Sequence, residues 1–254
     1  MFLPAAALLS CALVLSVDPG RGAEIIGGAE VQPHSLPYMA HLKGDKGSCG
    51  GTLIHPKWVL TAAHCVGMTH VVLGSHSVTN HEEEQHVRQY RNVSRWVPHP
   101  CYSEDVHIND LMLLELDRPV LKTKTVKWLK VAEEVEKPGT CTQCMVAGWG
   151  MTCYDAMQGS NVLRHTSVTV FNRKTCNSAE FYNSRPRIPT GMICAGSLPG
   201  DIQQSPWKGD SGGPLVCDGA VVGVVSFGMP DKPVVFNFLS IKRVEWIRKT
   251  ISNC

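Results

Sequence analysis

Hydrophobic positions in this chain fall into short runs rather than long helical stripes. "GGTLIHPKWVLTAA", "HVVLGSHSV", "DLMLLEL", "QCMVAGWG", "LRHTSVTVF", "GPLVC" and "GAVVGVVSFG" are each rich in β-branched or apolar residues. Gly, Pro, Asn or Asp punctuates most of them, which predicts strands joined by turns in an all-β barrel or sandwich. One segment keeps a different period. In "IKRVEWIRKTI" the residues Ile241, Val244, Ile247 and Ile251 recur at steps of three and four with Lys and Arg between them. That spacing predicts a terminal α-helix lying on the barrel with the stripe inward. The basic run "KTKTVKWLK", Lys122 to Lys130, is the expected middle connection, and no internal repeat stands out.

The opening "MFLPAAALLSCALVLSVDPGRGAE" changes the picture. Its apolar run from Leu3 to Val17 is short for a membrane span, and the small residues Gly20 and Gly22 suit a cleavage site. We read a signal peptide over residues 1–22 and a soluble mature chain. Hydrophobic content of 43% against 18% charged argues for a globular core, and a net charge of +2 leaves no nucleic-acid footprint. Of eleven cysteines, Cys11 leaves with the signal and ten remain (11 − 1 = 10). An even, high count in an exported chain reads as disulfides rather than metal ligands. Cys141 and Cys144 have the spacing of half a zinc site, but no second close pair or paired histidines accompany them. In "HEEEQH", His81 and His86 are five apart where one helix face needs four. No metal and no cofactor are expected.

Three stretches carry chemistry. A serine hydroxyl barely ionises at neutral pH, so as a nucleophile it needs a positioned base, and the base needs an orienting carboxylate. "VLTAAHC" puts His64 at the end of an apolar strand beside a cysteine that pins it. "NDLMLLEL" puts Asp110 at the mouth of a buried strand, where a carboxylate requires a partner. "GDSGGP" puts Ser211 in a loop whose glycines let backbone N–H groups approach a substrate. Each has a plain alternative taken alone: a packed histidine, a strand-start turn, a glycine loop. All three together, in this order, point to nucleophilic catalysis.

With "IIGG" at Ile25, these motifs resemble the trypsin/chymotrypsin-type serine proteases over essentially the whole mature chain. The resemblance implies two antiparallel six-stranded β-barrels over residues 25–254, a C-terminal helix, and a catalytic set of His64, Asp110 and Ser211 in the cleft. It implies oxyanion N–H groups from Gly209 and Ser211, and an activation ion pair between Asp210 and the new α-amino group of Ile25. The precursor should then be nearly inactive. Cleavage after Gly22 leaves the dipeptide Ala23-Glu24, which resembles the granzyme and mast-cell protease group, stored in immune-cell granules. "HPCYSED" and "MICAGSLPGD" resemble granzyme A, whereas "SPWKGDSGGP" resembles chymases and granzyme B.

By the same resemblance Cys49 pairs with Cys65, Cys144 with Cys217, and Cys176 with Cys194. Cys101, Cys141, Cys153 and Cys254 are left either to bridge internally or to link two copies through Cys101. Ser205 lies at the base of the primary pocket, where trypsin-like members carry an aspartate, and Asp201 is four residues too early to replace it. Gly228 leaves the entrance open and Val234 makes the pocket shallower. Cleavage after Phe, Tyr, Leu or Met follows, although the short "GMPDKP" segment reshapes one wall. Asn92 in "NVS" is a glycosylation sequon. Lys122, Lys124, Lys127 and Lys130 form either a solvated face or a proteoglycan contact, and Ser75 replaces a calcium-ligating glutamate. Two other readings remain: a trypsin-like granzyme, which Ser205 opposes, and a non-catalytic homologue that binds partners or membranes, which the complete catalytic set opposes.

Overall fold

A computed structural model describes residues 25–45, 47–79, 82–198 and 204–252. The signal peptide and activation dipeptide, Asp201, His81 and Cys254 lie outside the described residues. After the two-residue strand β1 (Ala29–Glu30), six strands follow: β2 (Met39–Gly44), β3 (Gly47–His55), β4 (Trp58–Thr61), β5 (Met68–Leu73), β6 (Gln89–Pro98) and β7 (Met112–Leu116). They close into an antiparallel barrel in the order β2-β3-β4-β7-β6-β5. The second half holds β8 (Gln143–Gly148), β9 (Arg164–Val170), the four-residue helix α1 (Arg173–Cys176), β10 (Met192–Gly196), β11 (Pro214–Cys217), β12 (Ala220–Phe227), β13 (Val234–Phe238) and helix α2 (Ile241–Ser252). Its strands run β9-β10-β13-β12-β11-β8, and β8 pairs back with β9 to close a second six-stranded barrel, with β1 added at β9.

The local chemistry explains most of these elements. Pro56 cannot donate to a ladder, so "GGTLIHPKWVLTAA" folds as a hairpin of β3 and β4 with His55 opposite Trp58, not as one strand. Trp58, Leu42, Leu53, Leu60, Leu113, Leu114 and Leu116 fill the first barrel, and Leu215, Val224, Val146, Ile193 and Phe236 fill the second. Each such side chain contributes about 1.5–3 kcal/mol by leaving water. The pattern of the sequence did not pick out β2, β6, β10 and β13. In β6 only Val93 is buried while its other residues are polar or partly exposed, so the strand is held by its ladders to β5 and β7 rather than by an apolar face. β10 and β13 are buried along their whole length and show no alternation.

Helix α2 forms as expected with one correction to its inward stripe. Val244 and Ile247 are buried and Ile251 packs against the core, but Ile241, in the first turn, is 53% exposed. Arg243, on the supposedly polar side, is 6% exposed instead. Its guanidinium donates to the Gly191 and Phe238 carbonyls and, at 3.1 and 2.8 Å, to Asn109 Oδ1. Burial lowers its pKa to about 10. Helix α1 was not foreseen; it is one turn, begun by Asn172, whose Oδ1 accepts from Lys174 N at 2.8 Å.

Disulfides join Cys49 to Cys65, Cys144 to Cys217 and Cys176 to Cys194. Cys101, Cys141 and Cys153 are exposed and unpaired among the described residues. Residues 117–142 cross between the barrels without regular structure, and within them Lys122 Nζ lies 5.3 Å from the centre of the Trp128 ring. In the loop after β5, Glu84 accepts from the N–H groups of His76 and Ser77 and pairs with Arg88 at 2.7 Å, so that loop is held by its own cation.

The barrels meet backbone to backbone at glycines. Gly212 has φ +80°, and a Cβ there would lie 2.0 Å from Thr61 Oγ1 and 2.6 Å from the Gly50 carbonyl oxygen. Gly219 has φ +77° in open space. Gly212→Ala is therefore expected to lose about 2–4 kcal/mol of stability, combining dihedral strain with overpacking. Gly219→Ala should lose only the dihedral part. Urea unfolding of both variants reads the difference, and equal losses would show that the close approach at Gly212 is easily relieved.

Candidate active site

His64 sits in the turn that follows β4. Cys65 N donates to Ala62 O at 3.2 Å, and the Cys49–Cys65 disulfide fastens the turn to β3. Asp110 stands just before β7, after Asn109 at φ +55°, a left-handed conformation that asparagine tolerates. The Asp110 carboxylate has no exposure. Its Oδ1 accepts from His64 N at 2.9 Å, and its Oδ2 lies 2.7 Å from His64 Nδ1 and accepts from Ser226 Oγ at 2.6 Å. Burial alone would raise the Asp110 pKa, but the bonds from His64 and Ser226 outweigh it and hold the carboxyl below its usual range. With Nδ1 facing the carboxylate, the other nitrogen of the His64 ring is the one left able to accept a proton, and the side chain stays 26% exposed.

Ser211 lies in the loop before β11, between Gly209 at φ +101° and Gly212. Its carbonyl accepts from Gly50 N at 2.8 Å and touches Cys65 Sγ at 3.6 Å, so Ser211 is held against the same disulfide-bearing segment as His64. The N–H groups of Gly209 and Ser211 and the Ser211 hydroxyl make no hydrogen bond among the described residues.

Asp210 points the other way, into the second barrel, and is buried. Gly150 N donates to its Oδ1 at 2.7 Å and Trp207 N to its Oδ2 at 2.9 Å. Gly148 and Gly150 leave the room for it, since a Cβ on residue 148 would lie 2.0 Å from Oδ1. Burial raises the carboxyl to about 7, and the two backbone bonds only partly offset it. Ile25 is completely buried, and Ile26 bridges Ser205, whose N–H donates to Ile26 O at 3.0 Å.

Ser205 is buried, with its hydroxyl donating to the Pro206 carbonyl at 3.1 Å. Val234 is buried too, and its Cγ2 lies 3.1 Å from where a Cβ of residue 228 would stand. Gly228 and Val234 therefore face each other closely. Asn92 is exposed on β6.

Three residues escaped the sequence reading. Ser226 is a polar interruption in the apolar run of β12, which was the available signal. Tyr154 packs edge-on against Trp207 at 4.8 Å and accepts from Asp231 N at 3.1 Å, tying the loop after β8 to the "GMPDKP" segment. His107 lies with its ring centre 6.2 Å from that of His64 at 80°, and only its place three residues before Asp110 hinted at it. His64, His107 and Asp110 are the group that could hold a metal ion among the described residues. Chemically, the site combines an oriented base, a hydroxyl and two unengaged N–H donors.

The chain is similar to known proteins over nearly its whole length. The family described as Trypsin matches residues 25–246. Granzyme A of Bos taurus is 44% identical, with 99% of this chain and 96% of the relative covered. Mast cell protease 3 of Ovis aries is 40% identical over the same shares, and granzyme B of Homo sapiens is 38% identical over 98% of each. A solved structure described as "Structure of GrC" superposes with a TM-score of 0.78 at 36% identity, covering 89% of this chain and 99% of that one.

Ser226→Ala tests how Asp110 is held. Because the folded pKa of Asp110 is depressed, the stability it contributes is present above the unfolded pKa and is lost as pH falls through the folded value. Losing one donor should cost about 1–2 kcal/mol near pH 7. That gap should close as the solution is acidified, as followed by urea unfolding between neutral and acid pH. A gap that does not change with pH would mean Ser226 acts by packing alone.

Proposed function

The chain belongs to the trypsin family of serine endopeptidases, and from that premise we propose that Ser211, His64 and Asp110 carry its reaction. The observation that supports this most strongly is the 2.7 Å contact of His64 Nδ1 with a carboxylate that has no exposure. In the proposed reaction the Ser211 hydroxyl attacks the substrate carbonyl carbon while His64 Nε2 takes its proton. The oxyanion that forms accepts from the N–H groups of Gly209 and Ser211. His64 then returns the proton to the leaving amine as the C–N bond breaks, and a water repeats the sequence on the acyl-enzyme. Asp110 stays ionised and stabilises the imidazolium.

Activation follows from Asp210 on the same reading. Cleavage between Glu24 and Ile25 creates an ammonium group, and a carboxyl raised to about 7 by burial gains most from a cation. The docking of Ile26 on Ser205 supports delivery of that amine beside the pocket. For specificity we propose an uncharged pocket based on Ser205, narrowed by Val234 against Gly228, that accepts Phe, Tyr, Leu or Met. A lysine or arginine there would be an unpaired buried charge, which costs several kcal/mol. We further propose that the chain is secreted and granule-stored, with glycan on the exposed Asn92. The exposed Cys101 supports a disulfide-linked homodimer, and the lysines from Lys122 to Lys130 support a proteoglycan contact.

Two outcomes test the chemistry and the pocket together. Ser211→Ala should lower kcat by roughly 10⁴- to 10⁶-fold and abolish labelling by a serine-directed phosphonate. Peptides differing only at the residue before the cut should be cleaved after Phe, Tyr, Leu or Met far better than after Arg, and Val234→Gly should shift preference toward the larger aromatics. A profile dominated by Arg or Lys would sink the pocket reading while leaving the catalytic one intact.

Activation has its own test. A chain that keeps Ala23-Glu24 should be almost inert, and trimming both residues should switch it on. Because Asp210 has a raised pKa, the untrimmed fold binds more protons than the unfolded chain between about pH 4 and 7. Its stability should therefore fall as pH rises through that window, and Asp210→Asn should flatten the slope. Full activity with the dipeptide attached would remove the activation argument.

A further inference from the structure

His107 has no part in the proposed reaction, yet it is held beside the reacting base. Its backbone is at φ +52°, its carbonyl accepts from Asn237 Nδ2 at 3.3 Å, and its ring packs on Phe227 at 5.1 Å. Its Nδ1 is buried with no hydrogen-bond partner. A buried nitrogen left without a partner costs free energy, and the ring that carries it stands beside a second imidazole and a carboxylate. His64, His107 and Asp110 each offer one ligand atom, and these atoms lie within 4.8 Å of one another.

The geometry points to an inhibitory binding site for a zinc-type transition-metal ion, bridged between His64 and His107 and neutralised by Asp110. A zinc ion bound at about 2.0–2.1 Å brings its ligand atoms to about 3.3 Å from one another. Modest rotation of two nearly perpendicular rings closes that gap. Two imidazoles and a carboxylate suit zinc, whereas calcium and magnesium call for sets of oxygen ligands. Whichever nitrogen of His64 the ion takes, the ring can no longer both face Asp110 and receive the Ser211 proton. The ion is thus an off-switch for the reaction and no cofactor for it. The inhibitory role rests on the proposed catalytic function of His64, but binding itself does not.

The test uses the trimmed chain and zinc chloride. Peptide hydrolysis should fall as zinc is added and recover fully with EDTA, while calcium and magnesium at the same concentrations should have no effect. His107→Phe keeps the ring against Phe227 and removes the ligand atoms. It should raise the half-inhibiting zinc concentration by at least about tenfold, the scale lost even when outer-shell partners of a metal site are removed. His107→Ala should do the same. Calorimetry on Ser211→Ala should show one zinc ion per chain, lost when His107→Phe is added, and this readout stands even if the trimmed chain hydrolyses nothing. Absence of zinc binding to Ser211→Ala, or unchanged zinc sensitivity in both His107 variants, would overturn the proposal.

Discussion

A single buried carboxylate sets the terms for the rest of the molecule. Asp110 is charged and has no contact with water, so every lone pair it presents has to be met by protein. Two of its donors, the backbone and ring of His64, come from the first barrel, and the third, Ser226, comes from β12 in the second. Neither barrel can satisfy the charge by itself. The relative position of the two halves is therefore a hydrogen-bonding requirement, and the glycines where Gly50 and Gly212 approach Thr61 are the steric condition for meeting it.

Asp210 shows how much the partners matter. It is as buried as Asp110 and also accepts good hydrogen bonds, but its donors are two neutral peptide groups. The same functional group is consequently pushed in opposite directions at two places in the fold: down where an imidazole faces it and up where only backbone does. One carboxylate has side-chain partners; the other, among the described residues, has only backbone. The difference lies in the donors: Asp110 faces a ring and a hydroxyl, and Asp210 faces two peptide groups.

Much of this was legible in the sequence, and the residues that were not share a physical reason. His64, Asp110 and Ser211 sit in short motifs whose glycines, cysteine and apolar flanks are themselves the local signals. Ser226 and His107 make their contacts across the fold, and the chain around them gives only faint signals: a polar break in the apolar run of β12 and a place three residues before Asp110. Strand β6 was hidden for a related reason. It closes the first barrel through ladder bonds on both sides, so its apolar residues need not alternate and only Val93 among them is buried. Ile241 and Arg243 exchanged their expected places because a guanidinium with four hydrogen bonds tolerates burial better than periodicity suggests.

That guanidinium also ties a late stretch of the chain to an early one. Arg243 belongs to helix α2, among the final residues described, and it grips Asn109, the neighbour of Asp110. A ribosome therefore releases the histidine and the aspartate long before it releases the side chain that steadies the turn between β6 and β7. The first barrel can collapse early around its leucines, but the backbone presenting its acid is braced only when the tail arrives. A nascent chain lacks that brace for most of its synthesis, and a chain cut ahead of helix α2 lacks it too, with His64, Asp110 and Ser211 still present.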